Sequence, residues 1–145
     1  MMRQLRRAEM CTCTLQGEAR LVKTLGDAVM VVATSIQSLL RSALALMCMI
    51  EKEPRFPAVR AGLHGKSAVE RAGDYFGGAV NLASRVCRVR QAREILCTAE
   101  FAAKAEQGWA VGFVPIGNVT LKNIPHAVAL CKIAGWCRRP AMAGG

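Results

Sequence analysis

The stretch 17–54, GEARLVKTLGDAVMVVATSIQSLLRSALALMCMIEKEP, decides the fold class. It opens with two β-rich runs, ARLVKTL and AVMVVA, that meet at Gly26-Asp27. A glycine at the first central position suits a tight type II′ hairpin, so Asp27 is expected at the hairpin tip, exposed. A helix follows. Thr34 or Ser35 can cap its start, and Ile36, Leu39, Leu40, Ala43, Met47 and Ile50 recur at helical spacing. The charged EKEPR segment with Pro54 ends it, because proline cannot continue the hydrogen-bond ladder.

Downstream, 58–64 (AVRAGLH) reads as a strand, and Gly65-Lys66 as a turn into a short strand near 68–71. The glycine-rich loop 73–78 leads into a helix over about 79–89. On that helix Ala79, Leu82, Ala83 and Val86 share one face, while Asn81 and Arg85, four residues apart, share the opposite one. Residues 94–97 read as a strand, Thr98 as the cap of a brief helix, and the stretch to about 134 as three β-like runs separated by Gly117-Asn118 and 123–125. This order predicts an α+β fold with helices covering one face of a mainly antiparallel sheet. A split βαβ sheet begins with a strand and a helix before the hairpin, and both are missing from this reading. The composition of RQLRRAEM at 3–10 suits the tail of a helix. The expected division is therefore 1–16 as a helix remnant, 17–134 as one domain and 135–145 as a flexible basic tail.

Length and composition narrow the function. At 145 residues and 15.6 kDa the chain has room for one ordinary domain, which excludes a two-domain enzyme, and 52% apolar residues are enough for a core. The longest apolar run, 43–50, is far below the roughly 20 residues of a membrane span. The basic amino end has no apolar run or cleavage site behind it, so a cytoplasmic protein without membrane contact is expected. Twenty Lys plus Arg against ten Asp plus Glu give a net charge of +10. The basic residues are spread along the chain and few aromatics could stack on bases, so a phosphate-bearing ligand is favoured over nucleic acid. Seven cysteines without zinc-type spacing read as reduced thiols in a cytosolic core. Asp27 and Asp74 are the only aspartates, which constrains any mechanism that needs several Asp ligands.

Four segments, GEARLVKTLGDAVMVV (17–32), VRAGLHG (59–65), ERAGDYFGGAVNLASRV (70–86) and VGFVPIGNVTLKNIPHAVALCKI (111–133), resemble in order the class III nucleotidyl cyclases, the adenylate and guanylate cyclase catalytic domain. The resemblance implies a ferredoxin-like nucleotide cyclase fold. It also implies attack of a ribose 3′-hydroxyl on the α-phosphate of a nucleoside triphosphate, with two Mg²⁺ or Mn²⁺ ions held by two aspartates. Asp27 matches the second of those aspartates. Lys23 and Asp74 match the pair that reads the purine edge, in the form that selects ATP. Asn81 and Arg85 match the transition-state pair, Asn81 orienting the ribose and Arg85 holding charge on the α-phosphate. Lys122 matches the lysine on the terminal phosphates. Taken without the resemblance, Asp27 reads as a turn residue, Lys23 and Asp74 as solvated surface groups, Asn81 and Arg85 as a solvent-facing helix side, and Lys122 as a basic turn residue.

Three departures accompany the matches. The family's first metal aspartate lies on an opening strand that has no counterpart here, so the two-metal site is incomplete in this chain. Gly65-Lys66 stands where the family has a His-Thr-Gly turn. Asn123 replaces the glycine of Leu-Lys-Gly, a mild change because asparagine tolerates left-handed backbone. Family sites form between two subunits, so a homodimer, or a heterodimer with another cyclase domain, is implied. The resemblance gives an adenylate cyclase domain turning ATP into cyclic AMP and pyrophosphate, weak or inactive alone. Its alternative is a non-catalytic partner that complements or regulates a complete cyclase.

Overall fold

The computed structural model describes residues 19–25, 28–53, 59–65, 69–71, 74–76, 78–87, 94–105 and 111–136. Strands β1 (Arg20–Leu25) and β2 (Ala28–Val32) form the expected antiparallel hairpin, with Leu25 opposite Ala28. A register shift between Leu21 and Lys23 inserts one extra residue, Val22. The turn at Gly26-Asp27 lies outside the described residues. Helix α1 (Ile36–Glu51) is capped by Ser35, whose Oγ accepts the Ser38 N–H at 3.1 Å. Leu40, Met47 and Ile50 on its apolar stripe are buried.

The second half builds a four-stranded sheet in the order β3 (Ala61–Leu63), β6 (Ile95–Thr98), β8 (Val128–Ala134), β7 (Gly112–Val119). β3 and β6 are parallel and the other pairs antiparallel. Between β3 and β6 the chain makes a small hairpin, β4 (Val69–Arg71) with β5 (Asp74–Phe76), and then helix α2 (Gly78–Cys87). Helix α3 (Ala99–Ala105) follows β6. This is the mixed, mainly antiparallel α+β architecture that the sequence predicts.

Two expectations need correction. Helices cover both faces of the sheet, not one. Ile95 and Cys97 of β6, Cys131 and Ile133 of β8 and Leu63 of β3 meet α1 and α3 through Leu40, Met47, Phe101, Ala102 and Ala105. Leu96 and Leu130, which alternate with those positions, meet Val86 and Leu82 of α2 and Leu121 on the other face. β6 is therefore buried along its whole length. The second correction concerns Gly117-Asn118, which does not separate two strands. β7 runs through it with a bulge between Pro115 and Gly117, and Gly117 takes a φ of 94°. The extra residue, Ile116, packs in the α2 cluster, and Pro115 is tolerated because β7 lies at the sheet edge. Trp136, expected in the tail, packs against the α1/α3 cluster. Residues 1–18 and 137–145 lie outside the described residues. Among the described residues no helix is long and apolar enough to cross a membrane.

Thr98 performs the predicted capping and more. Its Oγ1 accepts the Phe101 N–H at 3.2 Å and shares a 2.8 Å hydrogen bond with His64 Nδ1, while Lys104 Nζ donates to the Gly65 carbonyl at 3.0 Å. The end of β3 is thus tied to α3 at two points. Beside this junction, burial and the neighbouring Cys131 thiol push the Cys97 thiol from 9.0 up to about 12. The folded state then holds a proton that the unfolded state releases first, so stability falls as pH rises from 9 toward 12. Urea unfolding across that window should show the decline, and Cys97→Ala should make it shallower than in the wild type.

Candidate active site

Helix α2 organises the site. Its Leu82 and Val86, one turn apart, pack into the sheet, which leaves the positions of Asn81 and Arg85 on a different side. Arg85 is half-buried. What fixes the helix is Gly62 of β3. A Cβ there would sit 2.6 Å from the Ala83 carbonyl oxygen and 2.8 Å from Cys87 Cα, and closer still to the Cys87 nitrogen. Backbone lies on backbone, and only glycine allows it. The sequence reading placed Gly62 in a strand without assigning it this role. The signal available was a glycine inside an otherwise β-prone run.

The turn that carries Lys122 belongs to the same neighbourhood. Leu121, directly before it, is buried with Val86, directly after Arg85. Lys122 itself is exposed. The turn closes with the Ile124 N–H donating to the Leu121 carbonyl at 3.1 Å. Asn123 takes a φ of 62°, the left-handed geometry that the glycine-to-asparagine exchange has to support. β5, which begins at Asp74, contacts both α2 and β1, the strand of Lys23. Asp74 pairs with Arg71 across the small hairpin, and Lys23 with Met30 across the first one.

The backbone thus gathers the positions of Lys23, Asp74, Asn81 and Arg85 on three elements, of which β5 touches both β1 and α2, and buries the residue before Lys122 in one cluster with α2. Tyr75 and Phe76, read as loop residues, are part of β5. Asp27 and Lys66 lie outside the described residues. Among the described residues no group of three or more His, Cys, Asp or Glu could hold a metal ion.

No family model matches the chain. It is 44% identical over 75 residues to a pH-sensitive adenylate cyclase of Mycobacterium tuberculosis, a match covering 52% of this chain and 19% of that protein. It is 37% identical over 84 residues to an adenylate cyclase of Streptomyces griseus, covering 58% and 21%. The chain thus spans about a fifth of the curated relatives it matches. Among solved structures, an adenylate/guanylate cyclase/hydrolase from Silicibacter pomeroyi superposes with a TM-score of 0.79 at 25% identity, over 91% of this chain and 82% of that one. The adenylyl cyclase CyaB from P. aeruginosa superposes with a TM-score of 0.63 at 15% identity, over 97% and 82%, a likeness of fold. Over about half of its length in sequence and over most of it in fold, the chain is similar to adenylate cyclases, and its mixed α+β architecture matches the fold of the class III nucleotidyl cyclase catalytic domain.

Proposed function

We propose that the chain is an adenylate cyclase-type domain that binds ATP and takes part in its conversion to cyclic AMP and pyrophosphate, with little or no turnover unless a second cyclase domain completes the site. The observation that carries the reading is the buried cluster that Leu121 shares with Val86, Leu96 and Leu130, which draws the Lys122 turn toward the helix of Asn81 and Arg85, while β5 touches both that helix and β1. Lys23 and Asp74 take the purine edge, one donating and one accepting. Lys122 takes the terminal phosphates. Asn81 orients the ribose, and Arg85 neutralises charge as the 3′-oxygen bonds to the α-phosphorus and pyrophosphate leaves. Asp27 would supply one carboxylate to a divalent ion, Mg²⁺ or Mn²⁺, whose charge would offset that of the triphosphate. In a heterodimer, a complete cyclase domain would bring the second carboxylate.

The test is a cyclic AMP assay on purified protein with ATP and Mn²⁺ or Mg²⁺, alone and mixed with a complete cyclase domain. The expected result is a small signal alone and a rise proportional to added chain in the mixture. Asp27→Ala should remove whatever the chain produces alone, and GTP should substitute poorly for ATP. A mixture no more active than the complete domain by itself, together with no ATP binding by the isolated chain, rejects the reading. A mixture that gains activity while the chain alone makes none selects the non-catalytic partner.

A further inference from the structure

Among the described residues Cys48, Cys87, Cys97 and Cys131 stand outside any disulfide. Cys48 and Cys87 are half-buried on separate helices, and Cys87 donates its Sγ–H to the Arg60 carbonyl at 3.5 Å. Cys97 and Cys131 differ from both. They stand directly opposite each other in the antiparallel pair of β6 and β8, and both face the α1/α3 cluster. Opposed residues in such a pair have Cα atoms roughly 4.5–5.5 Å apart. A disulfide needs about 4.4–6.8 Å, so the pair can close without moving either strand far.

We propose that Cys97 and Cys131 form a latent dithiol that closes to a cross-strand disulfide when the sheet opens to a small disulfide oxidant, stapling β6 to β8. Cys131, 6% exposed against 0% for Cys97, attacks first. Its thiolate displaces one small thiol from the oxidant and leaves a mixed disulfide. Cys97 then attacks the Cys131 sulfur and displaces the second small thiol. Two protein S–H bonds and one S–S bond break, one protein S–S bond forms, and the two released thiols carry away the protons and the electron pair.

In the closed sheet the reaction stalls, because burial and the adjacent thiol hold Cys97 protonated near neutral pH. Opening of β8 restores hydration and with it the thiolate. The pair therefore records opening of this part of the sheet. Once closed, the covalent loop from 97 to 131 encloses α3, β7 and the Lys122 turn, whereas α2 with Arg85 remains outside it.

The experiment incubates the purified chain with oxidised glutathione in increasing urea below the unfolding midpoint. Free thiols are then blocked and the protein is digested without reduction. The expected product is a linked peptide pair containing Cys97 and Cys131, appearing faster as urea rises and in step with hydrogen exchange of the β8 amides. The linked protein should melt several degrees higher, and dithiothreitol should restore the original melting point. Cys131→Ser should abolish the linked pair and the shift, while Cys48→Ser should keep both. Glutathione adducts on both cysteines without linkage, linkage of either to a different cysteine, or a lower melting point in the linked form overturns the proposal.

Discussion

Gly62→Ala is expected to lower the unfolding free energy by about 2–3 kcal/mol, and Gly62→Val to remove the cooperative transition altogether. The clash is with backbone. The Ala83 carbonyl oxygen, 2.6 Å from the new carbon, and the Cys87 nitrogen and Cα belong to α2 itself, so no rotamer change relieves it. Either the helix lifts off the sheet or β3 shifts. Lifting α2 separates Val86 and Leu82 from Leu96, Leu130 and Leu121, which unpacks the cluster under the candidate site. The same substitution should therefore weaken ATP binding by more than the fraction of unfolded protein accounts for, since it moves the positions of Asn81 and Arg85 away from the Lys122 turn. Gly65→Ala is the informative contrast. There the added carbon meets the terminal Cδ1 of Ile36 and, at 3.4 Å, the Phe101 ring, and a flexible side chain can rotate away. Urea denaturation of the three variants separates the cases, and an unfolding midpoint for Gly62→Ala equal to the wild type would mean that α2 is not seated directly on β3.

The parts legible in the sequence were those with a local physical signature. The hairpin over 20–32 announces itself by two β-prone runs around a glycine-containing dipeptide, and α1 by its spacing and its Ser35 cap. β5 was not legible, because Asp74 to Phe76 is too short for alternation to register and is flanked by glycines that read as loop. The bulge in β7 misled for a related reason. A glycine with a φ of 94° within a strand has the same chemistry as a turn glycine, and only pairing with β8 on both sides of it distinguishes them. The number of covered faces was hidden too, since a four-residue buried strand such as β6 shows no period that says which of its residues meets which helix. In the candidate site, the family segments name the residues in order. The cluster that draws two of them together, with Leu121 and Val86 in it, is built from side chains next to the candidate ones and carries no motif.

On the proposed function, Arg85 and Lys122 should separate kinetically, and burial sets which loses more. Arg85 is half-buried on α2 and Lys122 is exposed at a turn. A guanidinium partly removed from water exerts a stronger field on charge that develops during the reaction than an ammonium that water already screens. Arg85→Ala is accordingly expected to lower kcat by about a hundredfold with KM little changed, the pattern of an interaction made chiefly in the transition state. Arg85→Lys should recover only part of the loss, because the planar fork cannot be reproduced by a point charge. Lys122→Ala should instead raise KM about fivefold, the equivalent of roughly 1 kcal/mol, and leave kcat nearly intact, since terminal phosphates carry much the same charge before and during the reaction. Lys122→Ala, at an exposed position, should unfold at the wild-type urea midpoint, and the midpoint measured for each Arg85 variant separates lost chemistry from lost packing of the arginine stem. The measurements belong on whichever assembly turns ATP over, the chain alone or the chain with a complete cyclase domain. If Lys122→Ala lowers kcat while Arg85→Ala raises only KM, the two cations have exchanged roles, and the orientation of the triphosphate across α2 has to be reversed.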